Sequence, residues 1–363
     1  VNGAKALSTF ARERVAPVAD RLIREPAFPH DIWQALGAAG HLGYGLADWG
    51  GTAADSGQLF DLAEALADGV EVVGFATSWM THHMVATGVI APFATEAQAA
   101  AILPRVARGE LSCCIAISEP GAGAHPKHLK TRAEKTDTGW QLTGEKAWLT
   151  NGPIAGLFVV VAIVSEDAGR KRFGAFLVPE DAKGLSRTDS IKIDFARPSG
   201  HCGIRMDAVE LPDEAFLGGA GDAVETVLKR FRRIEDAQGL AISSGGMAVE
   251  IRRLAAILPA EQATALGALA ADRELFRTAA RALVVESGGD PSSPAHEARL
   301  LSLRAHARGF QARVRDLIAA AMQDDGFLKL LSRDMTELGR VAERVDQAKL
   351  ARSGAALLQG SRA

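Results

Sequence analysis

The spacing of apolar and polar positions divides the chain into three zones of different period. From Val1 to about Leu111 it is helical: Ile32, Leu36, Ala39 and Gly40 form one set, Leu59, Leu62, Ala63 and Leu66 another, and Ile102 with Val106 a third. Breaks are expected at Pro26 to Pro29 and at Trp49-Gly50-Gly51-Thr52. From about Ser112 to Gly218 the period falls to two. Trp140, Leu142, Gly144, Lys146, Trp148 and Thr150 are expected on one strand face. Phe158 to Val164 reads as a strand buried on both sides, and Phe173 to Val178 and Met206 to Leu211 as strands stopped by Pro179 and Pro212.

From about Asp222 the helical period returns. Val224, Val227, Leu228, Phe231 and Ile234 form a stripe that runs on towards Leu258. Leu266 to Leu283 predicts a second helix, Phe310 to Ala321 a third and Leu330 to Val345 a fourth, with a turn cluster over 287–294. The expected fold is α+β and mostly α: an N-terminal helical domain (1–111), a middle β-barrel domain (112–218) and a C-terminal four-helix bundle (219–363).

Length and composition agree with several folded domains. The chain has 363 residues, 47% hydrophobic and 23% charged, with a net charge of −3 and both signs interspersed. Neither a nucleic-acid footprint nor a membrane surface is indicated, and the longest apolar run, Leu157 to Val164, is far short of a bilayer span. Three cysteines, two of them adjacent, give no disulfide framework and fit a reducing, cytoplasmic setting. His125 and His128 are separated by Pro126, which spoils a helical ligand pair, so no metal site is expected.

The candidate chemistry lies in two short motifs. Ile115-Ala-Ile-Ser-Glu-Pro-Gly-Ala-Gly-Ala124 is a turn of small residues. Gly144-Glu-Lys-Ala-Trp-Leu-Thr-Asn-Gly152 is a strand that offers an indole and a hydroxyl. Gly121 and Gly123 permit close backbone approach to a ligand, Ser118 and Thr150 supply short hydroxyls, and Trp148 supplies a stacking wall. Such a set suits a flat ring with a polar edge, such as a flavin.

These motifs resemble those of the acyl-CoA dehydrogenase family, and the stretch from Phe28 to Gly51 resembles its N-terminal helical domain. The resemblance implies FAD held by Ile115, Ile117, Ser118, Gly123, Ala124, Trp148, Leu149 and Thr150, with Ser118 on the flavin edge and Trp148 and Thr150 against the ring and its N5. It implies an acyl-CoA substrate, electron-transfer flavoprotein as acceptor, and a homodimer or homotetramer. The flavin is expected in the cleft between the β domain and the bundle.

Desaturation of an acyl thioester needs a carboxylate to take the Cα proton while hydride leaves Cβ for the flavin. The resemblance offers two positions for it. One is Glu235, ten residues before Gly245 on the first bundle helix; the other, the runner-up, is Glu343, after Arg333-Asp334. The chain departs from the family at Ala124-His125, where Ser-Asp is usual, and at Arg233 and Asp236, where the usual charges are reversed. It also lacks the family's Arg-Lys-x-Phe-Gly stretch, and its bundle turn appears only as Met322 to Phe327. These departures keep two alternatives open: a non-catalytic member without tight FAD binding, and a flavin-dependent monooxygenase on the same fold.

Overall fold

A computed structural model describes residues 2–188, 193–218, 221–286 and 293–360. Of the turn cluster expected over 287–294, residues 287–292 lie outside the described residues, as do 219–220 at the expected domain boundary. Helices open the chain: α1 (Asn2–Phe10), α2 (Ala19–Arg24), α3 (His30–Ala38), α4 (Ser56–Val70), α5 (Val73–Val85), α6 (Ala91–Phe93) and α7 (Glu96–Ala107). Strands come next: β1 (Cys113–Ala116), β2 (Arg132–Thr136), β3 (Gly139–Thr150), β4 (Leu157–Asp167), β5 (Arg170–Pro179), β6 (Leu185–Thr188) and β7 (His201–Leu211). The C-terminal helices are α8 (Lys229–Ile257), α9 (Ala263–Glu286), α10 (Pro294–Ala320), α11 (Gly326–Arg340) and α12 (Glu343–Gly360). Packing groups the chain into two units: Val1–Ile23 with Phe60–Val73 and Gly239–Ala363, and Arg24–Leu59 with Gly74–Gln238.

The second unit holds a curled seven-stranded sheet in the order β1-β4-β2-β3-β7-β6, with β5 also paired to β4. The Val-rich run of β4 is buried from Leu157 to Ile163, with β1 paired parallel on one edge and β5 antiparallel on the other. Phe158, Val160, Phe176, Leu142, Leu149, Ile204 and Met206 fill the core, and Trp140 packs over it against Phe176 and Phe216.

The expected single face of β3 is overturned. Its pairing with β7 shifts register between Leu142 and Gly144 and again between Lys146 and Leu149. The first extra residue belongs to β7 and leaves the alternation of β3 intact through Lys146; the second belongs to β3 and exchanges the faces of the residues beyond it. Lys146, Ala147 and Leu149 are therefore buried, whereas Trp148 is 55% exposed.

Two helix readings also change. On α3 the buried face is Ile32, Trp33, Leu36 and Gly37. Ala39 and Gly40 lie beyond its end and are exposed, with Gly40 in the left-handed region. The single helix expected over Leu330 to Val345 is divided between α11 and α12. The chain turns at Val341-Ala342, which leaves Val341 and Val345 exposed. It buries Asp346 instead, with its carboxylate 2.9 Å from Arg304 and 2.9 Å from Arg308.

In the first unit α4 and α8 meet closely. A Cβ on Gly245 would fall 2.6 Å from Glu64 O and 2.6 Å from Ala67 Cβ, so the glycine sets the approach. The Glu64 carboxylate accepts from Ser244 Oγ at 2.6 Å, Arg273 at 2.6 Å and Arg277 at 2.8 Å, which satisfies a charge that burial alone would expose to a large penalty.

Candidate active site

The two sequence motifs are stitched together by three contacts. The Ala147 N–H donates to Ser118 O at 2.8 Å, and Lys146 Nζ donates to Ile117 O at 3.1 Å and to Glu119 Oε1 at 2.9 Å. Lys146 and Glu119 are both buried. The Glu119 carboxylate also accepts from the N–H groups of Lys130 and Thr131, at 2.7 and 2.9 Å. Burial by itself would raise its pKa, but Lys146 and Thr131 overcome that and hold it below the ordinary 4.5. Burial pulls the Lys146 ammonium down to about 8, against the opposing attraction of Glu119.

The Ser-Glu-Pro-Gly-Ala-Gly segment forms a tight turn in which Gly121 and Gly123 have φ of 71° and 61°. The space where a Cβ would stand at either glycine is open. The Ala122 and Gly123 N–H groups both donate to Glu119 O, so they serve the turn itself. Close approach to a ligand is permitted at these glycines, but the Gly123 N–H is already engaged.

At the other motif, Trp148 adopts a φ of 63°. For a bulky residue this is a strained region, and it persists only where the surroundings impose it. Here the β3 bulge imposes it and turns the indole outwards. Asn151, also left-handed, donates through Nδ2 to Ser78 O on α5 at 2.7 Å, which anchors the end of the strand. Thr150 Oγ1 stands 2.8 Å from His201 Nε2 on β7.

These side chains meet at one pocket of about 120 Å³ in the second unit, lined by Thr81, Ile115, Ile117, Ser118, Ala124, Ala147, Trp148, Thr150, Leu228, Phe231, Arg232 and Glu235. Six of the eight residues expected at the cofactor therefore share one pocket. Gly123 and Leu149 are not among its lining: Gly123 closes the turn, and Leu149 is packed into the sheet core. Glu235 lies at the pocket rim, exposed, on the same face of α8 as Phe231 and Arg232.

Glu343 lines a different pocket of about 180 Å³ in the first unit, together with Ser243, Gln311, Arg308, Arg315 and Arg340. His125 and His128 lie with ring centroids 5.3 Å apart. Among the described residues no group of three or more His, Cys, Asp or Glu could hold a metal ion, and no helix is long and apolar enough to cross a membrane.

Sequence reasoning missed Thr81, Leu228, Phe231 and Arg232 as lining residues, and missed the Glu119–Lys146 pair. Leu228 and Phe231 were legible as one face with Glu235 at helical spacing. Thr81 was not, because α5 is buried on all sides and no face of it stands out. A Lys among apolar strand neighbours, with an acid in the preceding turn, was the available signal for the ion pair.

Residues 4–110 match the acyl-CoA dehydrogenase N-terminal domain and residues 114–209 the acyl-CoA dehydrogenase middle domain. The mitochondrial isovaleryl-CoA dehydrogenase of Solanum tuberosum is 28% identical over 260 residues, or 70% of this chain and 61% of that protein. The chain thus spans less than two thirds of that relative's length. Among solved structures, a glutaryl-CoA dehydrogenase from Mycobacterium smegmatis in complex with FADH2 superposes with a TM-score of 0.80 at 20% identity, over 93% of this chain and 89% of that one. The butyryl-CoA dehydrogenase from Megasphaera elsdenii does so with a TM-score of 0.83 at 18% identity, over 99% and 98%. At these identities the solved structures share the fold. The two domain matches together take in more than half of the residues, and the chain belongs to the acyl-CoA dehydrogenase family.

Proposed function

We propose that the chain is an FAD-dependent oxidoreductase that introduces an α,β double bond into an acyl-CoA thioester. The observation that carries this is the outward indole of Trp148, held by a bulge at one pocket with Ser118, Thr150 and Glu235. The residues fit a flat ring with a polar edge. Trp148 would wall one side, Ser118 and Thr150 would meet the edge, and Ile115, Ile117, Leu228 and Phe231 would exclude water. When bound, FAD would supply the acceptor for the hydride that leaves Cβ. Glu235 takes the proton from Cα, and a substrate lying over the rim would shield that carboxylate from solvent.

The test is an absorbance spectrum of the purified protein with added FAD, then anaerobic bleaching by a panel of acyl-CoAs. Flavin uptake, with bleaching lost in Glu235→Gln, is expected; bleaching unchanged in that variant removes Glu235 from the role. In keeping with the family resemblance, the protein would assemble as a homodimer or homotetramer and pass electrons to an electron-transfer flavoprotein.

One observation favours a second reading, a family member that keeps the fold without the cofactor. The pocket, about 120 Å³, is smaller than the ~300 Å³ at which ligand pockets ordinarily begin. A folded protein that stays colourless at micromolar FAD would establish that reading instead.

A further inference from the structure

The larger cavity, of about 180 Å³, lies wholly within the first unit, walled by α8, α10 and α11 with Glu343 of α12. Met247 and Met335, both buried, and Ala307 give it an apolar surface. A cavity of about 150 Å³ is enough for benzene, so this one has room for roughly seven non-hydrogen atoms.

Its polar groups are of two kinds. Arg308, Arg315 and Arg340 bring positive charge. Arg308 Nη1 donates to Asp346 Oδ2 at 2.9 Å and Arg340 Nη1 to Glu337 Oε1 at 2.8 Å, so each has a carboxylate partner. Arg315 does not. Its Nη1 donates to the neutral Thr336 hydroxyl at 2.9 Å, and among the described residues no carboxylate forms an ion pair with it. A planar guanidinium with further N–H groups to offer matches a carboxylate.

The second kind accepts. Gln311 is buried, its Nε2 donates to Glu250 Oε2 at 2.7 Å, and its Oε1 has no partner. A buried acceptor left bare is unfavourable, and a ligand N–H or O–H would relieve it. Glu343 adds a carboxylate to the same wall, which disfavours a simple anion such as phosphate.

We propose that this cavity binds a short-chain carboxylate that carries a hydrogen-bond donor. The ligand carboxylate pairs with Arg315, its hydrocarbon lies against Met247 and Met335, and its hydroxyl or ammonium group donates to Gln311 Oε1. No residue lines both this cavity and the candidate flavin pocket, so the assignment does not rest on a bound flavin.

The experiment is isothermal titration calorimetry of the full chain against 3-hydroxybutyrate, 3-aminobutyrate, butyrate and 3-hydroxybutyramide. Wild type, Arg315→Met and Gly339→Leu are compared, with thermal melts of each. Arg315 is exposed and gives up one hydrogen bond. Gly339 lines the cavity, and a Cβ there would meet Arg308 Cγ at 3.8 Å, an ordinary contact, so leucine can fill the space without pushing on backbone.

We expect one or both of the donor-bearing acids to bind wild type at millimolar concentration. Butyrate should bind roughly five- to tenfold more weakly for want of the donor, and the neutral amide not at all. Arg315→Met should weaken binding roughly tenfold, because a charge-assisted contact is lost. Gly339→Leu should abolish binding at an unchanged melting temperature. The assignment is overturned if neither donor-bearing acid binds, if butyrate binds as tightly as they do, or if binding survives in folded Gly339→Leu. Should Gly339→Leu not fold, an unchanged affinity in Arg315→Met overturns it alone.

Discussion

Lys146 Nζ lies 2.9 Å from Glu119 Oε1 with both side chains sealed from water, and this ion pair joins the two motifs that frame the candidate site. Lys146 belongs to the strand that carries Trp148, and Glu119 to the turn just after Ser118. A buried pair of this kind adds little net stability against an apolar substitute, but losing one partner strands the other charge.

Lys146→Met is accordingly expected to destabilise the protein by ~3–5 kcal/mol, and the Glu119→Gln/Lys146→Met pair by clearly less. Because the Glu119 pKa is depressed, its contribution is present above pH 4.5 and is lost as pH falls through the lower folded value. Urea denaturation of the variants between pH 3 and 7 should therefore show the gap between wild type and Lys146→Met closing in acid. Equal losses in single and double variants would mean that the pair does not act as a pair.

Strain at Trp148 makes the second prediction. The left-handed conformation at φ 63° costs a non-glycine residue ~1–2 kcal/mol, and an exposed indole forfeits little packing when removed. Glycine returns ~0.5–1 kcal/mol of this through its freer unfolded chain. Trp148→Gly should therefore hold or slightly raise the urea midpoint while FAD uptake, followed by fluorescence, falls sharply. A large drop in stability would show that the indole serves the fold rather than a ligand.

The parts of the molecule that were legible in sequence are those where burial tracks a local period. The β4 run was readable because it is buried without a break from Leu157 to Ile163, and the stripe leading into α8 because Val227, Leu228 and Phe231 are buried at helical spacing. The face assignment of β3 failed because a bulge adds a residue without leaving a compositional mark, and the same bulge creates the outward indole. The break between α11 and α12 was hidden for a related reason. The apolar spacing runs on through Val345, and only the two arginines that receive Asp346 from α10 reveal why the chain turns. At the site, Ser118, Trp148 and Thr150 could be named from their chemistry. His201 could not, since its place behind Thr150 depends on the β3–β7 register.

Glu250 supplies a pH prediction. It is buried on α8, and burial raises its pKa to about 8 against the weaker effects of Gln311 and Arg315. Gln311 Nε2 donates to Glu250 Oε2 at 2.7 Å, while Glu250 Oε1 and Gln311 Oε1 are both buried without a partner. Between pH 4.5 and about 8 the folded state keeps a proton that the unfolded chain has released, so stability falls as pH rises through that window. Glu250→Gln keeps the shape without the titration. Its advantage over wild type should be near zero at pH 4 and grow by about 1.4 kcal/mol for each pH unit up to pH 8. A difference that stays flat with pH would place the carboxyl in its ordinary ionised state.

The last prediction separates two glycines on one helix. Both Gly239 and Gly245 lie within α8, where a glycine weakens the helix by about 1 kcal/mol relative to alanine. Around Gly239 no atom stands within 4 Å of an added Cβ, whereas at Gly245 the new methyl would meet Glu64 O and Ala67 Cβ at 2.6 Å. Those neighbours are backbone and a short side chain on α4, so they can yield only if the two helices part. Gly239→Ala is therefore expected to raise the urea midpoint by an amount equal to ~0.5–1 kcal/mol. Gly245→Ala should lower it by ~1–3 kcal/mol and loosen the Ser244–Glu64 contact beside it, read as faster amide exchange along α4. Because helix propensity favours both substitutions equally, the opposite signs isolate the contribution of close helix approach. Two gains of equal size would show that α4 and α8 have room to move apart at no cost.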